Sequence, residues 1–253
     1  MNSKLNLGKR SFQLKLIPYL TGISIVTAIT AISFPSFAQI NLAVLLEILG
    51  GENEVFIEDQ VAQESDDATL GEEVRTEEAR AQLSFNNGAA GRIDENTSIV
   101  VGQCIEVEQG AIVASGPANG CLSDFAVGVE GTIYLMQIDQ DNIGQINVLE
   151  GQVLLRRQDN LENPNPITIE AGQKAVGLVE DLALEDVEIE LMRKEEYIAI
   201  ITGPLFQDYQ DQLPDEDKIN QVCERLYGDC VTVGSEPPPE TATEAPTPIR
   251  GLW

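Results

Sequence analysis

The sequence contains no histidine, so the side chains available for chemistry are mainly four cysteines and 42 acidic residues. The absence of histidine excludes Ser-His-Asp triads, Cys-His pairs and histidine-based metal sites. The phosphate-binding pattern G-x-x-x-x-G-K-[ST] is also absent. Paired carboxylates, as in glycoside hydrolases, need a defined separation and one raised pKa. Because no pair stands out among 42 acidic residues, we expect a non-enzymatic protein without a cofactor, and a carboxylate-based hydrolase is the alternative.

The four cysteines are Cys104, Cys121, Cys223 and Cys230. Four cysteines allow three pairings, and proximity in sequence favours Cys104–Cys121 and Cys223–Cys230. Zinc binding is the competing interpretation, but neither pair has C-x-x-C spacing. We therefore predict two disulfides, which require an oxidising compartment.

One segment partly matches a calcium-binding loop. Positions 1, 3, 6, 8 and 12 of an EF-hand are matched by Asp139, Asp141, Gly144, Ile146 and Glu150. Position 5, which is usually an oxygen ligand, is Ile143, and Gly151 stands where an exit helix would begin. The segment is therefore interpreted as the turn of a hairpin, and we expect no metal.

The elements around that turn are predicted to be strands. Apolar residues alternate with a period of two through 127–138 and 146–155, on either side of the polar residues 139–142. This pattern predicts strand–turn–strand. The apolar residues are rich in Val and Ile, which also favours sheet.

Glycines recur at intervals of about 20 residues. The series consists of Gly51, Gly71, Gly91, Gly110, Gly131, Gly151 and Gly172. Such a period is typical of a β-solenoid whose coils turn at glycine. Because other glycines fall outside this register, an ordinary β-sandwich fits equally well. The fold class is therefore mainly β, either glycine-punctuated and solenoid-like or a sandwich.

The pattern changes after residue 181. Apolar residues at helical spacing predict one charged helix over 184–201, ended by Gly203-Pro204. A second helix is predicted from Pro214 to Tyr227, because Pro suits a first helical turn and Gly228 suits the stop. These helices form a small C-terminal appendage that packs on the β-domain or, alternatively, serves as a partner-binding arm.

The N-terminal segment has the features of an export signal. Four basic residues accompany an apolar run that ends near a small-x-small site at 36–38, which predicts cleavage before Gln39. The run is long enough to serve as an uncleaved anchor instead. After residue 38 the chain has 11 basic and 42 acidic residues, a formal charge of −31. A surface of this charge repels phosphates, so nucleic acid binding is excluded.

Five segments resemble, in chain order, the motifs of the FecR domain family, named for the periplasmic sensor-regulator of iron-dicitrate uptake. They are LGEEVRT at 70–76, AQLSFNNG at 81–88, VEGTIY at 129–134, VLEGQV at 148–153 and IEAGQ at 169–173. The motif residues carried over are Gly71, Thr76, Gly88, Gly131, Thr132, Leu149, Glu150, Gly151, Ala171 and Gly172. Glu72 and Glu130 depart from the family pattern, and 104–124 has no counterpart. The resemblance implies a β-fold outside the membrane with a role in binding, sensing or assembly. Family sensors carry a cytoplasmic anti-sigma segment, but only 15 residues precede the apolar run here, so that activity is not carried over.

The predicted organisation is a signal peptide at 1–38, a FecR-like β-domain at 39–181, a helical appendage at 182–233 and a disordered Pro-rich tail at 234–253. The expected function is an exported, non-enzymatic binding, sensing or scaffold module of the cell envelope. A membrane-tethered sensor subunit is the alternative if the leader is retained. The expected partner of the exported module is an envelope protein or a wall glycan. We expect no transmembrane segment in the mature chain. The oligomeric state is left open.

Overall fold

The computed structural model describes residues 39–161 and 165–237. The predicted signal peptide at 1–38 and most of the predicted tail lie outside the described residues. The strands are β1 Leu42–Gly50, β2 Val55–Ile57, β3 Gln60–Val61, β4 Asp67–Thr69, β5 Glu73–Thr76, β6 Ala79–Phe85, β7 Ala90–Ile93, β8 Ser98–Val100, β9 Ile105–Gly116, β10 Gly120–Leu122, β11 Phe125–Val129, β12 Thr132–Ile138, β13 Gly144–Glu150, β14 Gln152–Arg157, β15 Ile167–Glu170, β16 Gln173–Leu178 and β17 Glu188–Leu191. The α-helices are α1 Lys194–Ile201 and α2 Asp217–Tyr227, and short 3-10 helices lie at Gln158–Asn160, Leu184–Asp186 and Pro204–Phe206.

The strands form two sheets that share β9. The first sheet has the order β4-β1-β6-β7-β9-β12-β13-β16-β17. The second sheet has the order β3-β2-β5-β8-β9-β10-β11-β14-β15. Among the pairs of described strands, β9–β10 alone is parallel. The prediction of a mainly β fold is confirmed. The two layers of largely antiparallel strands resemble a sandwich more than a solenoid of parallel coils.

Strand β9 passes from one sheet to the other near its middle. Its first half pairs with β8 and β10, and its second half pairs with β7 and β12. The change of sheet occurs at Gly110, which has a φ of +79°. A Cβ at Gly110 would collide with the side chain and backbone of Thr97, so this position needs glycine.

The main hydrophobic core lies between the sheets, and alternation along each strand determines which residues enter it. On β12, Tyr134 and Met136 belong to this core, whereas Ile133 and Leu135 belong to a second core on the opposite face of the first sheet. The first sheet is thus buried on both faces. This explains why β12 is apolar almost throughout instead of alternating with polar residues.

The helices cover the outer face of the first sheet. Tyr197 and Ile201 of α1 and Ile219 and Val222 of α2 pack in the second core with Leu149 of β13. The interpretation that the appendage packs on the β-domain is therefore confirmed. Within the described residues, no helix is long and apolar enough to cross a membrane.

The two predicted strands on either side of the turn are divided in the structure. Each of the apolar runs 127–138 and 146–155 is divided into two strands, because the chain changes sheets at Gly131 and Gly151. The β12–β13 hairpin nevertheless surrounds the predicted turn, where the Asp139 N–H donates to the Ile143 carbonyl at 3.1 Å. The calcium-loop interpretation is thus not needed to explain this segment.

The predicted C-terminal helices are shorter than expected. Residues 188–191 form β17 because the edge of β16 offers backbone hydrogen-bond partners, so the first helix begins only at Lys194. The second helix begins at Asp217 instead of Pro214, since Asp215 adopts a φ of +60° that is incompatible with a right-handed helix. Its stop is confirmed at Gly228, which has a φ of +83°.

Candidate functional site

Three turns with glycine at positive φ lie side by side at one end of the sandwich. Gly131, Gly151 and Gly172 have φ values of +65°, +79° and +87°, and at each of them the chain passes between the sheets. The turns are neighbours because β12 pairs with β13, and β13 pairs with β16. We call this group the stacked turns. They bring together seven of the ten motif residues carried over from the family resemblance, namely Gly131, Thr132, Leu149, Glu150, Gly151, Ala171 and Gly172.

The stacked turns are bonded to one another. The Thr132 hydroxyl donates to the Gln152 carbonyl at 2.8 Å, and Thr132 is 1% exposed. The Ala171 N–H donates to the Gly151 carbonyl at 3.1 Å, and the Gly172 N–H donates to the Val148 carbonyl at 2.9 Å. These hydroxyl and backbone N–H groups of the motif residues therefore form hydrogen bonds within the stacked turns.

A comparable arrangement occurs at the opposite end of the sandwich. The Thr76 hydroxyl donates to the Asp94 carbonyl at 2.6 Å and accepts from the Thr97 N–H at 3.1 Å. The Thr97 hydroxyl in turn accepts from the Ala111 N–H at 3.0 Å. In both places a buried threonine at a sheet-to-sheet crossing binds the backbone of the next crossing.

Two predicted motif residues lie away from both groups. Gly71 is in the turn before β5, and Gly88 is in the β6–β7 turn, with φ values of +89° and +85°. In each turn the positive φ explains the glycine. The structure thus distributes the motif over several turns and does not gather it into one reactive site.

Among the motif residues, Glu150 has a buried side-chain oxygen that makes no hydrogen bond within the described residues. This oxygen is Oε2, and Glu150 ends β13. Burial raises the pKa of Glu150, with Asp215 adding to the shift and with Lys218 and Arg225 opposing it. The preceding residue, Leu149, packs in the second core, and its carbonyl accepts from the Tyr197 hydroxyl at 2.7 Å.

A buried arginine under the helical layer was not predicted. Arg92 on β7 is 1% exposed, and its Nε donates to Gln82 Oε1 at 2.8 Å. Its other nitrogens donate to the Leu205 carbonyl at 3.2 Å and the Asp211 carbonyl at 2.7 Å. Burial lowers the pKa of Arg92, and the neighbouring Glu216 carboxylate counteracts this.

Other side chains of the first sheet hold the same segment by its main chain. Arg80 donates to the Pro204 and Gln207 carbonyls, and the Ser115 hydroxyl donates to the Pro214 carbonyl. Glu47 accepts from the Gln210 N–H at 3.1 Å. Residues 204–216 are therefore fastened to the sheet by polar contacts in addition to the apolar packing of the helices.

The two disulfides have the predicted pairing. Cys104 and Cys121 link the start of β9 to β10 with a Cα–Cα distance of 5.5 Å. Cys223 in α2 is joined to Cys230 beyond the end of the helix, with a Cα–Cα distance of 5.9 Å. The first disulfide secures the parallel strand pair, and the second fixes the segment that follows α2.

A groove of about 670 Å³ lies beside the first half of β9 and the β12–β13 turn. Its acidic lining residues are Glu106, Glu108, Asp124, Asp141 and Glu180. In the described part of the chain, no three cysteine or carboxylate side chains converge on a point that could hold a metal ion.

No protein-family model matches the sequence, and no curated protein matches it. Among solved structures, the fold is similar to a crystal structure at 1.65 Å resolution from Parabacteroides distasonis ATCC 8503, provisionally described as an anti-sigma factor. The sequence identity is 13% and the TM-score is 0.42, over 62% of this chain and 75% of that chain.

Proposed function

We propose that this chain is an exported, non-enzymatic FecR-type domain that acts as a binding, sensing or scaffold module in the cell envelope. The observation that supports this best is the role of the motif residues. Motif residues in neighbouring turns donate hydrogen bonds to the backbone of the next turn, and so they build a rigid framework: the donors are Thr132, Ala171 and Gly172, and the acceptors are the carbonyls of Gln152, Gly151 and Val148. A framework of this kind suits a protein that presents a surface.

Export is supported by the two disulfides, which form and persist in oxidising compartments. The high negative charge favours solubility and opposes binding to anionic polymers. The surface offered to a partner is the outer side of the second sheet, because both helices pack on the first sheet. An envelope protein or a wall glycan is the proposed partner.

Export is tested by expressing the full precursor in a bacterium and determining the N-terminus and the intact mass of the exported protein. We expect a chain that begins at Gln39 and shows no free thiols after denaturation without reductant. A chain that retains Met1 in the membrane fraction would support the tethered sensor subunit instead.

The binding role is tested by placing a photo-reactive amino acid at Glu108 in the groove, with Glu195 on α1 as the control position. Crosslinking from position 108 should give one reproducible adduct with a single envelope component. Crosslinking from position 195 should not give this adduct. Equal labelling at both positions would contradict a specific surface. Release of sugar reducing ends from wall polysaccharide, abolished by one Asp or Glu substitution, would establish the hydrolase alternative.

A further inference from the structure

Glu150 occupies the junction between the first sheet and the helical layer. It is the last residue of β13, next to Leu149 in the core that includes Ile219 and Val222 of α2. Its neighbours in the stacked turns also contact this helix, since a Cβ at Gly172 would collide with the Leu226 side chain at 2.5 Å. A change in charge at Glu150 therefore occurs where α2 rests on the sheet.

The carboxylate of the half-buried Glu150 differs from that of Glu216, a buried acid at the turn that leads into α2. Oε2 of Glu216 accepts from the Leu213 N–H at 2.8 Å and lies 3.1 Å from Arg92 Nη2. Oε2 of Glu150 is also shielded from solvent but has no hydrogen-bond partner within the described residues. An ionised oxygen in such a position loses its hydration without receiving hydrogen bonds in exchange.

The charged groups that face Glu150 are Lys218 and Arg225 of α2 and Asp215 in the turn before it. The titratable hydroxyl of Tyr197 on α1 also lies near this carboxylate. Lys218 Nζ lies 2.9 Å from Asp215 Oδ1, so its charge is shared with a second carboxylate. The two cations favour the ionised carboxylate, Asp215 disfavours it, and burial has the largest effect.

We propose that proton binding to Glu150 tightens the packing of α2 on β13, so that the helical layer closes in acid and loosens as the carboxyl ionises. The neutral acid removes the cost of placing an ionised oxygen at the shielded Oε2 position, whereas Oε2 of the ionised form regains hydration when α2 moves away. The segment that moves with α2 includes the Tyr227 hydroxyl, which donates to the Met192 carbonyl at 2.8 Å.

The direction of the pH dependence follows from the linkage between proton binding and the packing of α2. The pKa of Glu150 is raised above its ordinary value of 4.5 when the helix is packed, so the packed state binds more protons than the open state. The stability of the packed state is therefore greatest below pH 4.5 and falls as the pH rises through the raised pKa. One proton limits the change in the opening equilibrium to tenfold per pH unit.

The test is amide hydrogen exchange of 217–227 in the full chain between pH 4.5 and 7.5, corrected for the intrinsic exchange rates. The opening constant of α2 should rise with pH in the wild type, while the Glu150→Gln protein should show a low and pH-independent constant. Glu170→Gln, which neutralises an exposed carboxyl on β15, is the matched control and should behave as the wild type. A Glu150→Gln protein with the wild-type pH dependence would overturn the proposal.

A second measurement does not depend on the variant. Carboxyl carbon NMR of the wild-type protein should show Glu150 titrating above 4.5, together with amide shifts in 217–227 that follow the same curve. Titration of Glu150 without any response in α2 would equally overturn the coupling.

Discussion

Nη2 of Arg92 lies 3.1 Å from Oε2 of Glu216, and their side chains expose only 2% and 9% of their surfaces. The arginine comes from the middle of the first sheet, and the glutamate comes from the turn that leads into α2. Breaking a buried pair by removing one partner leaves an uncompensated charge. Removing either partner of this pair should therefore cost more stability than removing one partner of an exposed ion pair.

Replacing Arg92 with methionine should lower the free energy of unfolding by about 3–5 kcal/mol, because Glu216 would remain buried without its cation. The measurement is urea unfolding followed by circular dichroism. Arg75→Met is the control, since Arg75 and Glu77 expose 36% and 50% of their side chains, and its effect should stay below about 1 kcal/mol. Equal effects of the two substitutions would contradict the role given to Arg92.

Replacing Thr132 with valine should destabilise the fold by about 0.5–1.5 kcal/mol, because the shape is kept while the buried hydroxyl and its hydrogen bond to the Gln152 carbonyl are lost. Thr168→Val on β15 is the control, because Thr168 is exposed and its change should be within about 0.5 kcal/mol. Thermal unfolding of both variants provides the comparison. A Thr132→Val protein as stable as the control would show that the stacked turns do not depend on this bond.

Comparing Gly172→Ala with Gly177→Ala distinguishes the cost of backbone strain from the cost of a collision with α2. Both positions have positive φ, at +87° and +70°, so each alanine costs about 1–2 kcal/mol. A Cβ meets nothing within 4 Å at Gly177, but at Gly172 it collides with Leu226 of α2. Gly172→Ala should therefore be the more destabilising variant and should also increase hydrogen exchange in α2, whereas equal exchange in both variants would contradict the packing described.

The two disulfides should contribute unequally to stability. On the chain-entropy account, the longer loop closed by Cys104–Cys121, with a sequence separation of 17, contributes about 3 kcal/mol. The Cys223–Cys230 loop, with a separation of 7, contributes about 2 kcal/mol on the same account. Unfolding of the two double Cys→Ala variants measures both values, and a larger loss for the shorter loop would contradict this ranking.

The sequence predicted the strands well where local signals were strong. Alternation located β12 and β13, and the polar residues from Asp139 onward located their turn. It did not show that Gly131 and Gly151 move the chain to another sheet, because a change of sheet leaves the period of two intact. Residues 188–191 were assigned to a helix since their spacing fits both periods, and only the free edge of β16 decides for a strand.

The polar interior under the helices could not be predicted from local pattern. Arg92 follows Gly91 in a strand and alternates with apolar residues, which normally assigns such a side chain to solvent. Its burial depends on residues 204–216 more than 100 positions later. The glycines of the stacked turns, in contrast, stand out in the sequence, because positions with a positive φ favour this residue type.

Strand β9 contributes hydrogen bonds to both layers of the sandwich. The two sheets therefore cannot slide past each other without breaking the pairing of β9 in one of them. Mechanical load applied at either layer is thereby passed through covalent backbone to the other. A domain of this construction should unfold in a single cooperative transition in which both sheets are lost together.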